Sequence, residues 1–243
     1  MSQPPSPAEL AEHVHDHHHS DVSGGWLRAA VFGAMDGLVT NIALVAGVGG
    51  GGADRNVIIL TGTAGLVAGA FSMALGEFAS VGTQNEAVAS EVAVEREEIR
   101  RHPRAEEAEL AGMYRQMGLT RATAAAMARE VHANPELAVK VHVAQELGVD
   151  VDEQPSPWLA AISSFLCFAV GGAVPLVPFL LGSSSLLLGL LVGAAGLFVV
   201  GALTARFTSR GRLLSGLRQL GFGAIAAGAT YLVGMLIGVG VTG

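Results

Sequence analysis

The sequence predicts an all-α polytopic membrane protein, with five transmembrane helices and an acidic helical segment inserted between the second and the third. Three observations carry that prediction. The 243 residues are 51% hydrophobic and only 14% charged, with a mean hydropathy of +0.49, whereas about a quarter of a soluble domain is charged. The charges are segregated: there are none in the 52 residues from Gln154 to Ala205, none from Asn56 to Gly76 and none from Gln219 to Gly243. The stretch 83–156 instead gathers 14 of the 21 acidic residues against eight basic ones, a net −6. Such a composition excludes a disordered chain. A lone cysteine, Cys167, forms no internal disulfide, and an overall charge of −7 offers no footprint for nucleic acid.

Residues 1–25 read as a flexible tail, rich in proline at Pro4, Pro5 and Pro7 and in histidine at His13, His15, His17, His18 and His19. The tail lacks the apolar core of a cleavable signal peptide, and its histidines could collect metal only loosely. Trp26 reads as an interfacial anchor. Because a span needs about 20 apolar residues, the charge-poor stretches become spans at about 27–49, 56–82, 157–181, 186–206 and 217–240. The 52-residue stretch must turn once, best at Leu181-Gly182-Ser183-Ser184-Ser185. Domain bounds follow: 26–82 holds spans one and two, 83–156 the acidic helices, and 157–243 spans three to five.

Within the acidic segment, Gln84–His102 continues span two and is interrupted by Pro103. A helix from Ala105 to Met117 ends at Gly118, Thr120 caps a third, and Asn134-Pro135 opens a fourth ending near Gly148. With an inside N-terminus, thirteen of the fourteen basic residues fall on the cytoplasmic side, leaving only Arg55 across the membrane. The positive-inside rule selects that orientation. Thirteen arginines against one lysine, with abundant alanine and glycine, point to a GC-rich bacterial source, hence to a bacterial plasma (inner) membrane.

Three constellations carry chemistry. Asp36 lies ~15 Å along its helix from Trp26, near mid-membrane, where a carboxylate costs at least ~2.5 kcal/mol even on the lenient insertion scale. A cavity, a cation or a proton path would justify that cost; the plainer alternative is a protonated Asp36 bonded to Thr40 or Asn41. Met73 and Glu77, four apart on one face of span two, pair a soft thioether with a hard carboxylate, a combination suited to transition metals. Packing for Met73 and snorkelling for Glu77 are the alternatives. The acidic helices stack Glu91, Glu95 and Glu98 at i, i+4 and i+7, pair Glu106 with Glu109, and set His142 four before Glu146. Like charges one turn apart repel unless a cation bridges them, and carboxylates with an imidazole suit Fe²⁺, Mn²⁺ or Zn²⁺. A solvated acidic face stays open as the other reading, and Glu97 with Arg101 fits it. Glycines 62, 69 and 76, together with Gly33 and Gly37, permit close helix contact within a bundle or across a dimer seam. Cys167 reads as packing.

Met35-Asp36-Gly37-Leu38-Val39-Thr40-Asn41-Ile42-Ala43-Leu44-Val45-Ala46-Gly47-Val48 resembles the first-span motif of the vacuolar iron transporter family, and Ala68-Gly69-Ala70-Phe71-Ser72-Met73-Ala74-Leu75-Gly76-Glu77-Phe78-Ala79-Ser80-Val81 resembles its second. The likeness runs through the acidic segment and into Pro175-Leu176-Val177-Pro178. It implies a five-span homodimer in the lipid bilayer that exchanges cytoplasmic Fe²⁺ for protons and needs no prosthetic group. Mn²⁺, Co²⁺ and Zn²⁺ are further cargoes left unranked. The resemblance carries Asp36 and Met73 over as translocation-path residues, with Glu77 adjoining. It also carries over Glu95, Glu98, Glu106, Glu109 and Glu146 as a cytoplasmic metal site, in which His142 and Val143 stand where the family pattern has methionines one turn before the last glutamate. No Walker-type phosphate loop is present, so ATP-driven pumping is not expected. A membrane-tethered metal buffer or sensor is the rival reading. A di-iron oxidase lacks its Glu-x-x-His pairs, so no enzyme is expected.

Overall fold

The structure is a computed structural model that describes residues 25–207 and 211–241. The histidines of the tail and Arg210 lie outside the described residues. Among the described residues there is no strand. The helices are α1 (Gly25–Gly50), α2 (Arg55–Arg101), α3 (Pro103–Gln116), α4 (Arg121–His132), α5 (Pro135–Leu147), α6 (Pro157–Ala173), α7 (Val177–Leu180), α8 (Leu186–Thr204) and α9 (Arg212–Val241). Among the described residues, five stretches are long and apolar enough to cross a membrane: Trp26–Gly50, Arg55–Arg101, Pro157–Leu180, Leu186–Thr204 and Arg212–Gly238.

Local chemistry sets most boundaries. The Asp54 carboxylate accepts from the amides of Asn56 and Val57 and so starts α2. Thr120 caps α4, Asn134 caps α5, Ser156 caps α6 and Ser185 caps α8, each satisfying amides left orphaned at a helix start. Pro103 sits in the first turn of α3, where its missing N–H costs nothing. Gly182, with φ of 102°, reverses the chain between α7 and α8 at the predicted turn.

One expectation is corrected. The third span is not one helix: α6 ends at Ala173, a 3₁₀ turn covers Val174–Leu176 and α7 follows. Pro175 and Pro178 remove amide donors and crowd the preceding turn, which breaks the helix while leaving its hydropathy untouched. The helix that holds the fifth span starts at Arg212, a turn or so before the span expected near 217. In contrast, span two and the first acidic helix form one 47-residue helix, as anticipated. At 1.5 Å per residue α2 is ~70 Å long, while the hydrocarbon core is ~30 Å thick. More than half of α2 therefore extends beyond the apolar layer.

Helix α1 is the centre of the apolar bundle and touches α2, α6, α8 and α9. Gly33 and Gly37 lie directly on the α6 backbone: a Cβ on Gly33 would meet the Ser164 carbonyl, and one on Gly37 the Phe168 carbonyl and the Gly172 amide. These glycines thus make an intramolecular seam. Gly62 and Gly69 receive Leu176 and Phe168 in the same way, whereas Gly76 faces open space. Leu38, Ile42, Val45, Phe168, Phe179 and Leu197 are buried around these crossings. Outside the apolar bundle, two smaller cores hold the acidic helices. Val92 and Ile99 of α2 pack on Ala138, Val139 and Val143 of α5, and Leu110 and Tyr114 of α3 pack on Ala124 and Ala128 of α4.

Candidate metal centre

The acidic helices bury Glu106 and His142 and half-bury Glu95 by keeping them in phase with their apolar stripes. Glu95 falls between Val92 and Ile99 on the buried face of α2, Glu106 lies one turn before Leu110 on α3, and His142 stands between Val139 and Val143 on α5. The side chain of His142 is fully buried. Its Nδ1 is 3.1 Å from Glu95 Oε1, 3.2 Å from Glu146 Oε1 and 3.9 Å from Glu106 Oε2. Glu95, His142 and Glu146 each offer a ligand atom within 4.8 Å of the others, close enough to share one ion. Asp36 and Glu77 belong to no such group among the described residues.

Electrostatics agree with the geometry. Burial pushes the Glu95 carboxyl above the ordinary carboxylate range; His142 pulls it back, while Glu146, Glu106 and Glu109 push further up. Glu106 is likewise raised by burial first, then by Glu109, against His142. Glu98 and Glu109 thus act on the pocket through their charge from its rim, and Glu98 also lies 3.8 Å from His102. Glu91 is exposed. Glu95 Oε1 is buried yet accepts no hydrogen bond, because the imidazole 3.1 Å away does not aim an N–H along that line. A crowd of partly buried carboxylates with an unused acceptor is a site that a divalent cation would relieve. Glu97 behaves as the solvated alternative predicts: half-exposed and paired with Arg100 and Arg101, its carboxyl is lowered to about 2, mainly by the Arg100 hydrogen bond.

In the apolar bundle, the Thr40 hydroxyl donates to Asp36 Oδ1 at 3.4 Å. Asn41, the other candidate partner, instead donates to the Gly172 carbonyl at 2.6 Å. Met73 is half-buried. Glu77 is occupied: Arg28 of α1 reaches it at 3.0 Å, and the Glu77 side chain is only 10% exposed. Sequence reasoning missed this ion pair, since the partners are 49 residues apart. It also missed His132, whose Nε2 lies 3.0 Å from His142 Nε2. The available signal was a pair of histidines flanking the Asn134-Pro135 turn.

Five helical stretches long and apolar enough to cross a membrane, among the described residues, define an α-helical membrane protein. The chain matches the VIT family over residues 27–235, and it belongs to that family, whose members are transporters and not enzymes. It is 33% identical to the vacuolar iron transporter of Acanthamoeba castellanii, over 88% of this chain and 79% of that protein. It is 30% identical to vacuolar iron transporter 1 of Oryza sativa subsp. japonica, over 92% and 90%. It is 28% identical to vacuolar iron transporter 1 of Arabidopsis thaliana, over 98% and 95%. The resemblance read from the two span motifs is borne out.

Proposed function

We propose that this protein carries Fe²⁺, and also Mn²⁺, out of the cytoplasm in exchange for protons, working as a homodimer in a bacterial plasma membrane. The observation that carries the reading is Asp36, a carboxylate held in the middle of an apolar helix, which an anchor or a buffer has no reason to keep. Its relatives named iron transporters support the cargo. The thirteen-to-one distribution of basic residues supports an N-terminus and acidic helices in the cytoplasm.

Residues 83–156 act as the collecting domain. Their net −6 concentrates cations from solution, and Glu95, Glu106, His142 and Glu146 take one up, with Glu98 and Glu109 at the rim. Glu77 lies 18 residues from Glu95 on the same helix, ~27 Å away along its axis. A cation arriving there must displace the Arg28 guanidinium from the Glu77 carboxylate. One turn deeper, Met73 offers a thioether, and Asp36 then receives the ion. Protonation of Asp36 from the far side weakens its hold and releases the cargo, so one carboxylate that binds either H⁺ or metal couples the two fluxes.

Proteoliposomes holding a pH dye test this. Fe²⁺ added outside should enter the vesicles and make their lumen more alkaline as protons leave. Metal entry without a pH change would contradict exchange. Metal binding without entry, lost on deleting residues 84–152, would establish the buffer instead.

A further inference from the structure

We propose that His132 is a positioning residue of the acidic-helix cation site, accepting the His142 Nε2 proton in the cation-bound tautomer, whose bare Nδ1 faces Glu95, Glu106 and Glu146, and so suiting the site to divalent ions that accept nitrogen ligands. This rests on the reading above that the cluster binds a divalent cation. A neutral imidazole carries one proton on one of its two nitrogens. His142 Nδ1 is hydrogen-bonded to Glu146 Oε1 at 3.2 Å, with carboxylate oxygens of Glu95 and Glu106 at 3.1 and 3.9 Å, and its Nε2 lies 3.0 Å from His132 Nε2. For Nδ1 to ligate a cation, its proton must sit on Nε2, and the acceptor 3.0 Å from that atom is the His132 ring nitrogen. The ring planes meet at 78° with centroids 5.2 Å apart, so the two imidazoles meet edge-on at nitrogen rather than by stacking.

The fold fixes this meeting. His132 is the last residue of α4 and Pro135 the first of α5. Asn134 closes the short turn between them by accepting from the amides of Glu136 and Leu137. His142, two turns into α5, is wholly buried, and its ring has little freedom to rotate. Metal-bound histidines almost always donate their second ring N–H to a fixed partner, and loss of that partner costs about 10- to 100-fold in metal affinity. An imidazole among carboxylates favours Fe²⁺, Co²⁺ and Zn²⁺ over Mg²⁺ and Ca²⁺, which prefer oxygen alone.

The test uses the full-length protein in detergent with Co²⁺ as probe, whose visible absorption reports its ligands. His132→Gln keeps an acceptor within reach of His142, whereas His132→Leu keeps the bulk without one. The expected result is Co²⁺ binding by the unmodified protein that Glu95→Gln weakens. His132→Leu should weaken it about 10- to 100-fold and shift the Co²⁺ spectrum, with His132→Gln restoring most of both. Equal binding and spectra in all three proteins would overturn the role of His132 while leaving the cation site intact. Equal losses in Leu and Gln variants would overturn it too, since the acceptor then has no effect of its own, as would a second Co²⁺ lost only when His132 is changed. No Glu95-dependent Co²⁺ binding in the unmodified protein would instead remove the site on which the inference stands.

Discussion

His142→Leu is the sharpest perturbation of the acidic domain, because one fully buried ring meets carboxylates from three different helices. The substitution deletes the 3.1 Å contact with Glu95 and the 3.2 Å contact with Glu146. The Glu95 contact is electrostatic rather than a hydrogen bond, and taking the partner away from a buried acceptor costs about 1–3 kcal/mol. The Glu146 side chain is 36% exposed, so its contact counts nearer the surface-pair value of about 0.5 kcal/mol. Leucine returns about 1 kcal/mol through extra apolar burial. The net loss is therefore about 2 kcal/mol for the metal-free domain. Hydrogen exchange of the α5 amides reads this directly, and a 2 kcal/mol loss means opening about thirtyfold more often. The apolar helices, which His142 does not touch, should exchange as before. Unchanged protection in α5 would refute the claim that His142 holds the carboxylates together.

Cation binding at the acidic domain should weaken as pH falls through the raised carboxyls of Glu95 and Glu106, with protons released on binding; titration calorimetry in two buffers of different ionisation heat counts them. The sign for stability is opposite: these carboxyls bind protons more tightly folded than unfolded, so the metal-free domain should gain stability as pH falls towards the ordinary carboxylate range. Arg28→Gln frees the Glu77 carboxylate, and because the pair is largely exposed on the Arg28 side, transport KM should fall by at most about fivefold, the equivalent of about 1 kcal/mol. Gly37→Leu drives a side chain into the Phe168 carbonyl and Gly172 amide and should cost about 3 kcal/mol or more, whereas Gly76→Ala, facing open space, should leave the thermal midpoint unchanged or slightly higher; melting in detergent separates the two.

Much of the architecture was legible because its causes are local. Charge-free runs of span length, the caps Thr120 and Asn134, and Gly182 at the turn each announce themselves within a few residues. The break in the third span was not read, because Pro175 and Pro178 alter hydrogen bonding without altering hydropathy. The glycine pattern permitted two seams, and only packing against Ser164, Phe168 and Gly172 chose the intramolecular one for Gly33 and Gly37. At the candidate site, helical spacing found Glu95, Glu106, His142 and Glu146 individually. Their convergence depends on how α2, α3 and α5 pack, and spacing along one helix carries no such information. The same limit hid Arg28 on Glu77 and His132 on His142, and left Thr40 and Asn41 as equal partners for Asp36 until Gly172 claimed Asn41.

Asp36→Asn in proteoliposomes tests the central claim most directly. The asparagine keeps the size and the hydrogen-bonding capacity towards Thr40 but carries no charge and takes up no proton. The account predicts that Fe²⁺ still binds the acidic domain while Fe²⁺ entry and the accompanying lumenal alkalinisation both disappear. Fe²⁺-driven proton movement at the unmodified rate would contradict it.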